Sequence, residues 1–166
     1  ELVLTKGGPT VSELLKNLSA LHIRPVGNSP EECEEAATAL NRLMPSLTED
    51  YTALKAADVA RMLSTGLTRI YLGRDESGKV QAGATLVLCC SPTGCKAWIE
   101  DVAVMPDCRR RGYGRAIIRF LIAESQRLGA KSLNLTSQPK REAANALYRS
   151  EGFVLRETNV YRWQEK

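Results

Sequence analysis

Four arginines, two glycines and a tyrosine crowd into the run Arg109-Arg110-Arg111-Gly112-Tyr113-Gly114-Arg115, shortly after the strand-like stretch Ile99 to Met105 and at the start of a helical pattern. The first turn of a helix leaves backbone N–H groups without intrahelical acceptors and carries the positive end of the helix dipole. Glycines there let a ligand approach the backbone without meeting a Cβ. A phosphate or pyrophosphate is the ligand such a loop suits. Between Asp107 and Arg119 five arginines face one aspartate, a local charge of +4 that equals the formal charge of the whole chain. The other reactive residue types offer less. Five cysteines, Cys33, Cys89, Cys90, Cys95 and Cys108, form an odd set without a Cys-x-x-Cys pair, and His22 is the sole histidine, so no metal site is expected. The cysteines read as small apolar side chains in a reducing compartment. Cys108, beside the arginines, is a candidate for modification wherever it is exposed.

The elements that must position this loop follow from periodicity. Leu21 to Val26 alternates as a strand. Pro30 to Leu43 reads as a helix opened by Ser29 and stopped at Pro45, and a second helix is expected from about Asp50 to Ser64, ended by Gly66. Thr68 to Arg74 and Val80 to Cys90 form a hairpin around Asp75-Glu76-Ser77-Gly78, and Ala97 to Met105 adds a third antiparallel strand. A helix over Tyr113 to Leu128, a strand over Ser132 to Thr136, a helix over Pro139 to Ser150 and one or two strands within Phe153 to Trp163 complete the order. The fold class is α/β (α+β), a mixed, mostly antiparallel sheet flanked by helices. The 166 residues make a single domain, with residues 1–20 as a short N-terminal appendage.

A dinucleotide fingerprint would need Gly or Ala where the chain has Ile117, and no Gly-x-x-x-x-Gly-Lys-Ser/Thr occurs. What remains, Arg109-x-x-Gly112-x-Gly114 between strand and helix, resembles the pyrophosphate motif of the GNAT (GCN5-related N-acetyltransferase) superfamily. A second block, Ala143-Ala144-Asn145-Ala146-Leu147-Tyr148-Arg149-Ser150-Glu151-Gly152-Phe153, is similar to that family's Ala-x-x-Leu-Tyr-x-x-x-Gly-Phe signature. The resemblance spans residues 97–163. One departure is Arg141 where many members carry an asparagine facing the coenzyme; Asn145 lies one turn later.

The resemblance implies an acetyl-CoA-dependent N-acetyltransferase acting on a primary amine by direct attack in a ternary complex. Acetyl-CoA would enter where the strand 97–105 splays from the strand 132–136. A bulge in the first strand would free backbone near Val102, Ala103 and Val104 for the thioester. Pyrophosphate would sit on Arg109, Arg110, Arg111, Gly112, Tyr113, Gly114 and Arg115, and Thr136 and Asn145 could bind pantetheine or phosphate. Amine attack needs a base, because an alkylammonium of pKa near 10.4 lacks a free lone pair at neutral pH. Glu100 resembles the family's strand glutamate base, and Tyr148 matches its frequent general acid. Asp101 should face the opposite side unless a bulge intervenes.

The acceptor, a small molecule or protein carrying an amine, is not specified. The acidic run Glu31, Glu32, Glu34 and Glu35 is explained equally by its place in a helix's first turn. No membrane span is expected, since the longest uncharged stretch, Val80 to Cys95, is too short and is broken by glycine and proline. The expected location is cytoplasmic, and the oligomeric state is open, a homodimer included. The rival class is a non-catalytic anion- or nucleic-acid-binding module built on Arg109 to Arg119. Against a nucleic-acid partner, no helix-turn-helix or single-strand stacking platform is evident.

Overall fold

The computed structural model describes residues 21–165; the appendage expected over residues 1–20 lies outside them. Two units are distinguished, one ending at Thr136 and one beginning at Ser137.

The first unit carries a five-stranded sheet in the order β1-β2-β3-β4-β5: β1 His22–Pro25, β2 Thr68–Arg74, β3 Val80–Ser91, β4 Gly94–Val104 and β5 Leu133–Leu135. The first four are antiparallel neighbours and β5 joins β4 in parallel, so the sheet is mixed and mostly antiparallel as expected. Among the described residues three α-helices belong to this unit: α1 Pro30–Leu43, α2 Ala56–Ser64 and α3 Tyr113–Arg127. Ser29 begins α1 as a full capping box. Its hydroxyl accepts from the Glu32 N–H at 3.2 Å, and Glu32 accepts from the Ser29 N–H at 3.3 Å. The acidic residues of that first turn complement the helix dipole, which accounts for them without a ligand.

The two faces of the sheet are covered separately. Cys33, Ala36, Leu40 and Leu43 of α1, with Val59 and Leu63 of α2, pack with Ile70, Leu72, Val80 and Ala103 from the strands. On the alternate residues of β2, Tyr71 meets Phe120 of α3 edge-on at 5.3 Å between centroids, and its hydroxyl donates to Glu124 at 2.9 Å. Burial first, and the Glu124 carboxylate second, push the Tyr71 phenol well above its ordinary value, so it remains a donor. Ile117, Ile118 and Leu121 of α3 are completely buried. Leu121→Ala is expected to cost about 3 kcal/mol through lost burial and a residual cavity. That corresponds to a midpoint about 6 to 12 °C lower, read by calorimetry.

Helix α2 begins at Ala56 rather than near Asp50. The reason is Asn41 of α1. Its side-chain oxygen accepts from the Leu54 N–H at 2.8 Å and the Tyr51 hydroxyl at 2.6 Å, and its amide donates to the Leu54 carbonyl at 3.0 Å. Backbone groups committed to a side chain cannot enter a helical ladder, so residues 51–55 stay a pinned loop.

The second unit holds α4, Glu142–Ser150. Tyr148 and Phe153 pack edge-on at 6.0 Å, and the Phe153 N–H returns to the Tyr148 carbonyl at 3.0 Å around Gly152. The strands expected within Phe153 to Trp163 do not form among the described residues; Val154, Leu155, Val160, Tyr161 and Trp163 are exposed. A strand needs a ladder partner, and the backbone bond seen there is local, Thr158 N–H to the Arg156 carbonyl.

Candidate active site

The site is built around an irregularity in β4. Thr85 pairs with Glu100 and Gly83 with Ala103, so Asp101 and Val102 together oppose Ala84 alone. That is a β-bulge, where an extra residue leaves the ladder and bends the strand. Its phase shift is visible in the burial. Thr85 stands on the same face as Ile70, and Glu100, paired with Thr85, shares it with Ala103 of the α1/α2 core, an odd interval of three residues that regular alternation forbids. Asp101 takes the strain with φ 53°, a left-handed conformation uncommon for a residue with a Cβ. The bulge therefore brings Asp101 next to Glu100 electrostatically instead of across the sheet. Burial first, and the Asp101 charge second, raise the Glu100 carboxyl above its ordinary value. The Asp101 charge also reaches Tyr51 in the pinned loop, whose phenol is raised chiefly by burial.

Beyond Ile99 the strand loses its parallel neighbour. The β4–β5 register consists of Ala97 with Leu133, Trp98 with Asn134 and Ile99 with Leu135. From Glu100 onward this edge of β4 has no β5 residue opposite it, which leaves a slot for an extended ligand to pair with backbone. Val102, Ala103 and Val104 line this stretch, Ala103 buried and the two valines half-buried. Thr136, exposed, follows the last paired residue of β5.

After Val104 a single 3-10 turn, Pro106–Cys108, leads into the arginine loop. Arg110 at φ 63° and Gly112 at φ 81° turn the chain sharply into α3, with Gly112 as its N-cap. The helical ladder opens with the Ala116 N–H on the Gly112 carbonyl at 2.9 Å, so the amides of Tyr113 and Gly114 precede it. The side chains of Arg109, Arg110, Arg111 and Arg115 are exposed, and Tyr113 is buried beneath the loop. Cys108 is only 4% exposed, which removes it as a modification site despite its arginine neighbours. The N-terminus of α3, the loop amides and the exposed guanidinium side chains thus lie in one segment that follows β4.

In the second unit, Tyr148 is half-buried. Burial raises its phenol above the ordinary value, and the Arg141 cation opposes the shift. Arg141 therefore acts electrostatically on Tyr148 where the family pattern often has asparagine. The Asn145 amide donates to the Gln138 carbonyl at 3.0 Å and the Pro139 carbonyl at 3.5 Å, which holds the loop ahead of α4.

These features, a bulged strand with a diverging parallel neighbour and an arginine-glycine loop opening a helix, coincide with a family match over residues 38–153 to the acetyltransferase (GNAT) family. The chain belongs to this family. A curated relative, the ribosomal protein bS18-alanine N-acetyltransferase of Escherichia coli (strain K12), is 41% identical over 58 residues, covering 35% of this chain. The chain spans only 39% of the length of that relative. Among solved structures, an Agrobacterium tumefaciens str. C58 protein described as an acetyltransferase matches with a TM-score of 0.74 and 27% identity over 86% of this chain and 99% of its own. An aminoglycoside acetyltransferase from an uncultured soil metagenomic sample, solved with sisomicin, shares the fold with a TM-score of 0.75 and 17% identity over 88% of this chain and 96% of its own.

Two site features were not visible in the sequence. The left-handed Asp101 follows a purely apolar and acidic run with no glycine to signal it, and the Asn41–Tyr51 latch joins residues whose partnership no local pattern encodes. Among the described residues no cluster of three His, Cys, Asp or Glu is placed to hold a metal ion. None of their helices is long and apolar enough to cross a membrane.

Proposed function

We propose that this chain is an acetyl-CoA-dependent N-acetyltransferase that passes acetyl to a primary amine by direct attack within a ternary complex. The observation that carries this reading is the bulge at Asp101–Val102, adjacent to the β4 edge that lacks a β5 partner and four residues before the turn at Pro106 that leads into the arginine loop. The donor set fits the co-substrate. Pyrophosphate suits the amides of Gly112 to Gly114 and the Arg109, Arg110, Arg111 and Arg115 side chains, and pantetheine suits an open strand edge, with Thr136 next to the last paired residue of β5; Asn145 of the second unit is a further candidate contact. Backbone N–H groups of Val102 to Val104 stabilise the oxyanion as the thioester carbonyl is attacked.

Glu100 removes the proton of the incoming ammonium, directly or through water, so that nitrogen presents a lone pair. Tyr148 keeps its proton through the neutral range and delivers it to the departing thiolate. The expected location is the cytoplasm, where acetyl-CoA is available. The acceptor is an amine on a small molecule or a protein. A protein N-terminus, as in the bS18-alanine relative's name, and an aminoglycoside, as in the soil enzyme's, are the two classes to assay first.

The test is thermal unfolding with acetyl-CoA, dephospho-coenzyme A, NAD and a short DNA duplex at low and moderate salt. At 100 times Kd, acetyl-CoA is expected to add about 2.7 kcal/mol and raise the midpoint by roughly 5 to 10 °C. A shift shared equally with DNA and erased by salt would instead identify a general anion surface.

Gly112 offers a sharper probe. A Cβ built there meets no protein atom within 4 Å, so it would occupy only the space through which an anion approaches, at a positive φ that alanine tolerates poorly. Gly112→Ala is expected to raise the KM for acetyl-CoA about tenfold, the equivalent of ~1.4 kcal/mol of lost binding, with kcat little changed. Initial rates against acetyl-CoA concentration check this.

A further inference from the structure

The hairpin between β3 and β4 ends in a disulfide, Cys90–Cys95, which overturns the expectation that all five cysteines are reduced apolar side chains. The two residues are direct partners in the β3–β4 register, five apart in sequence, with Ser91 and Gly94 paired beyond them. The Cys95 carbonyl accepts from the Lys131 N–H at 2.9 Å, on the β5 side. Cys90 and Cys95 therefore form a non-hydrogen-bonded pair, the close kind that places two sulfurs within bonding reach.

As a staple this bond has little to do. The loop it closes is already closed by a ladder and a turn, and the entropy a cross-link removes from the unfolded chain is smallest for short loops. It is instead well placed to be broken. Cys90 is exposed and Cys95 half-buried, and the neighbouring Cys89 is an exposed free thiol, whereas the remaining two cysteines, Cys33 and Cys108, are buried. Exchange requires a thiolate to reach a sulfur, and only this hairpin end allows it.

The bond also sits at the start of the β4–β5 seam. The Thr93 carbonyl accepts from the Lys131 ammonium at 2.9 Å, and the Ala97 N–H donates to the Ser132 carbonyl at 2.8 Å. Gly94, at φ 118°, has Lys131 so close that a Cβ would stand 2.7 Å from its side chain. Cys95 thus belongs at once to the disulfide and to the contacts that dock the hairpin tip onto the segment entering β5. Five residues beyond Cys95, at Glu100, the β4–β5 pairing has ended and the slot described above begins.

We propose that Cys90–Cys95 is a reversible redox site that couples the thiol state of its surroundings to the β4–β5 slot; its effect on acetyl-CoA rests on the functional reading above. In a reducing compartment a persistent structural disulfide is unusual and a transient sensing one is the common kind. The reductant is a dithiol, small or carried by a protein. One of its thiolates attacks a sulfur of the pair, forming a mixed disulfide and releasing the other cysteine as a thiolate, which takes up a proton. The second thiol then attacks the mixed disulfide, freeing the remaining cysteine and leaving the dithiol as its own disulfide. Two electrons and two protons reach the hairpin, and the dithiol loses the same.

The full chain is compared after treatment with oxidised glutathione, then desalting, and after dithiothreitol. Thiol titration of the denatured protein is expected to find three thiols in the first state and five in the second, or correspondingly fewer if glutathione has also capped Cys89; a Cys89→Ser chain, with two and four, removes that ambiguity. Acetyl-CoA binding by calorimetry is expected to weaken about fivefold on reduction, and hydrogen exchange across residues 131–135 to accelerate. The double variant Cys90→Ser, Cys95→Ser should bind like the reduced form and no longer respond to dithiothreitol, whereas Cys89→Ser should respond like the parent. Five thiols in the oxidised protein would overturn the site. Equal acetyl-CoA affinity in both thiol states would overturn the coupling alone. Absence of acetyl-CoA binding in either state, with three and five thiols found, would overturn the coenzyme reading and leave the disulfide standing.

Discussion

Replacing Tyr148 with phenylalanine is expected to lower kcat about hundredfold while leaving the KM for acetyl-CoA within about twofold. Phenylalanine keeps the ring that packs edge-on against Phe153, so α4 and its turn through Gly152 are retained. What disappears is the proton. Burial holds the Tyr148 phenol above its ordinary value even against the Arg141 cation, so the hydroxyl is protonated wherever the enzyme works. Transfer to the departing thiolate, whose conjugate acid has a pKa of about 8.5, is uphill and is made only as the C–S bond breaks. A loss confined to kcat is the mark of an interaction made only as the bond breaks. Unchanged kcat in Tyr148→Phe would leave the ring as packing alone.

The second large effect belongs to Glu100, and its sign is fixed by which form acts. A carboxylate base works ionised, so kcat/KM falls as pH drops through its pKa. Burial and the Asp101 charge place that pKa above the ordinary carboxylate value. The acid limb of the profile should therefore lie higher than for an exposed glutamate. Asp101→Asn, which removes the like charge, should move it down. In Glu100→Gln the limb should vanish and the rate at neutral pH fall about hundredfold. What activity remains then depends on the free amine alone, rising about tenfold per pH unit up to the pKa of the amine assayed, about 8 for an α-amino group and about 10.4 for an alkylamine. A Glu100→Gln profile parallel to that of the parent would remove Glu100 as the base.

Much of this site was readable because local chemistry and tertiary structure agree. Ser29, Pro30 and Glu32 spell a helix start by themselves, and the capping box forms as written. Gly112 and Gly114 among arginines can serve a strand-to-helix turn with few alternatives, and α3 begins at Tyr113 as its pattern requires. The bulge was expected from the resemblance near Val102 to Val104 and lies at Asp101–Val102; the left-handed Asp101 was not legible, since it arises where the pairing with β3 shifts register between Glu100 and Ala103. Residues 50 to 55 have helix-compatible composition, and the Asn41 amide overrides it from ten or more positions away. Cys90 and Cys95 become partners through hairpin register, a quantity no cysteine count contains. The apolar residues after Phe153 show the converse: β-favouring side chains are insufficient for a strand without a ladder to join.

The most direct measurement is release of coenzyme A thiol from acetyl-CoA, followed continuously, with and without added amines drawn from N-terminal peptides and aminoglycosides. The account predicts thiol release that depends on one class of amine, is accompanied by an acetylated product of that amine, and collapses in Glu100→Gln and Tyr148→Phe while both variants still bind acetyl-CoA. Acetyl-CoA bound tightly by the parent, with no amine of either class accelerating thiol release above the rate in Glu100→Gln, would contradict it and leave a coenzyme-binding protein without transfer.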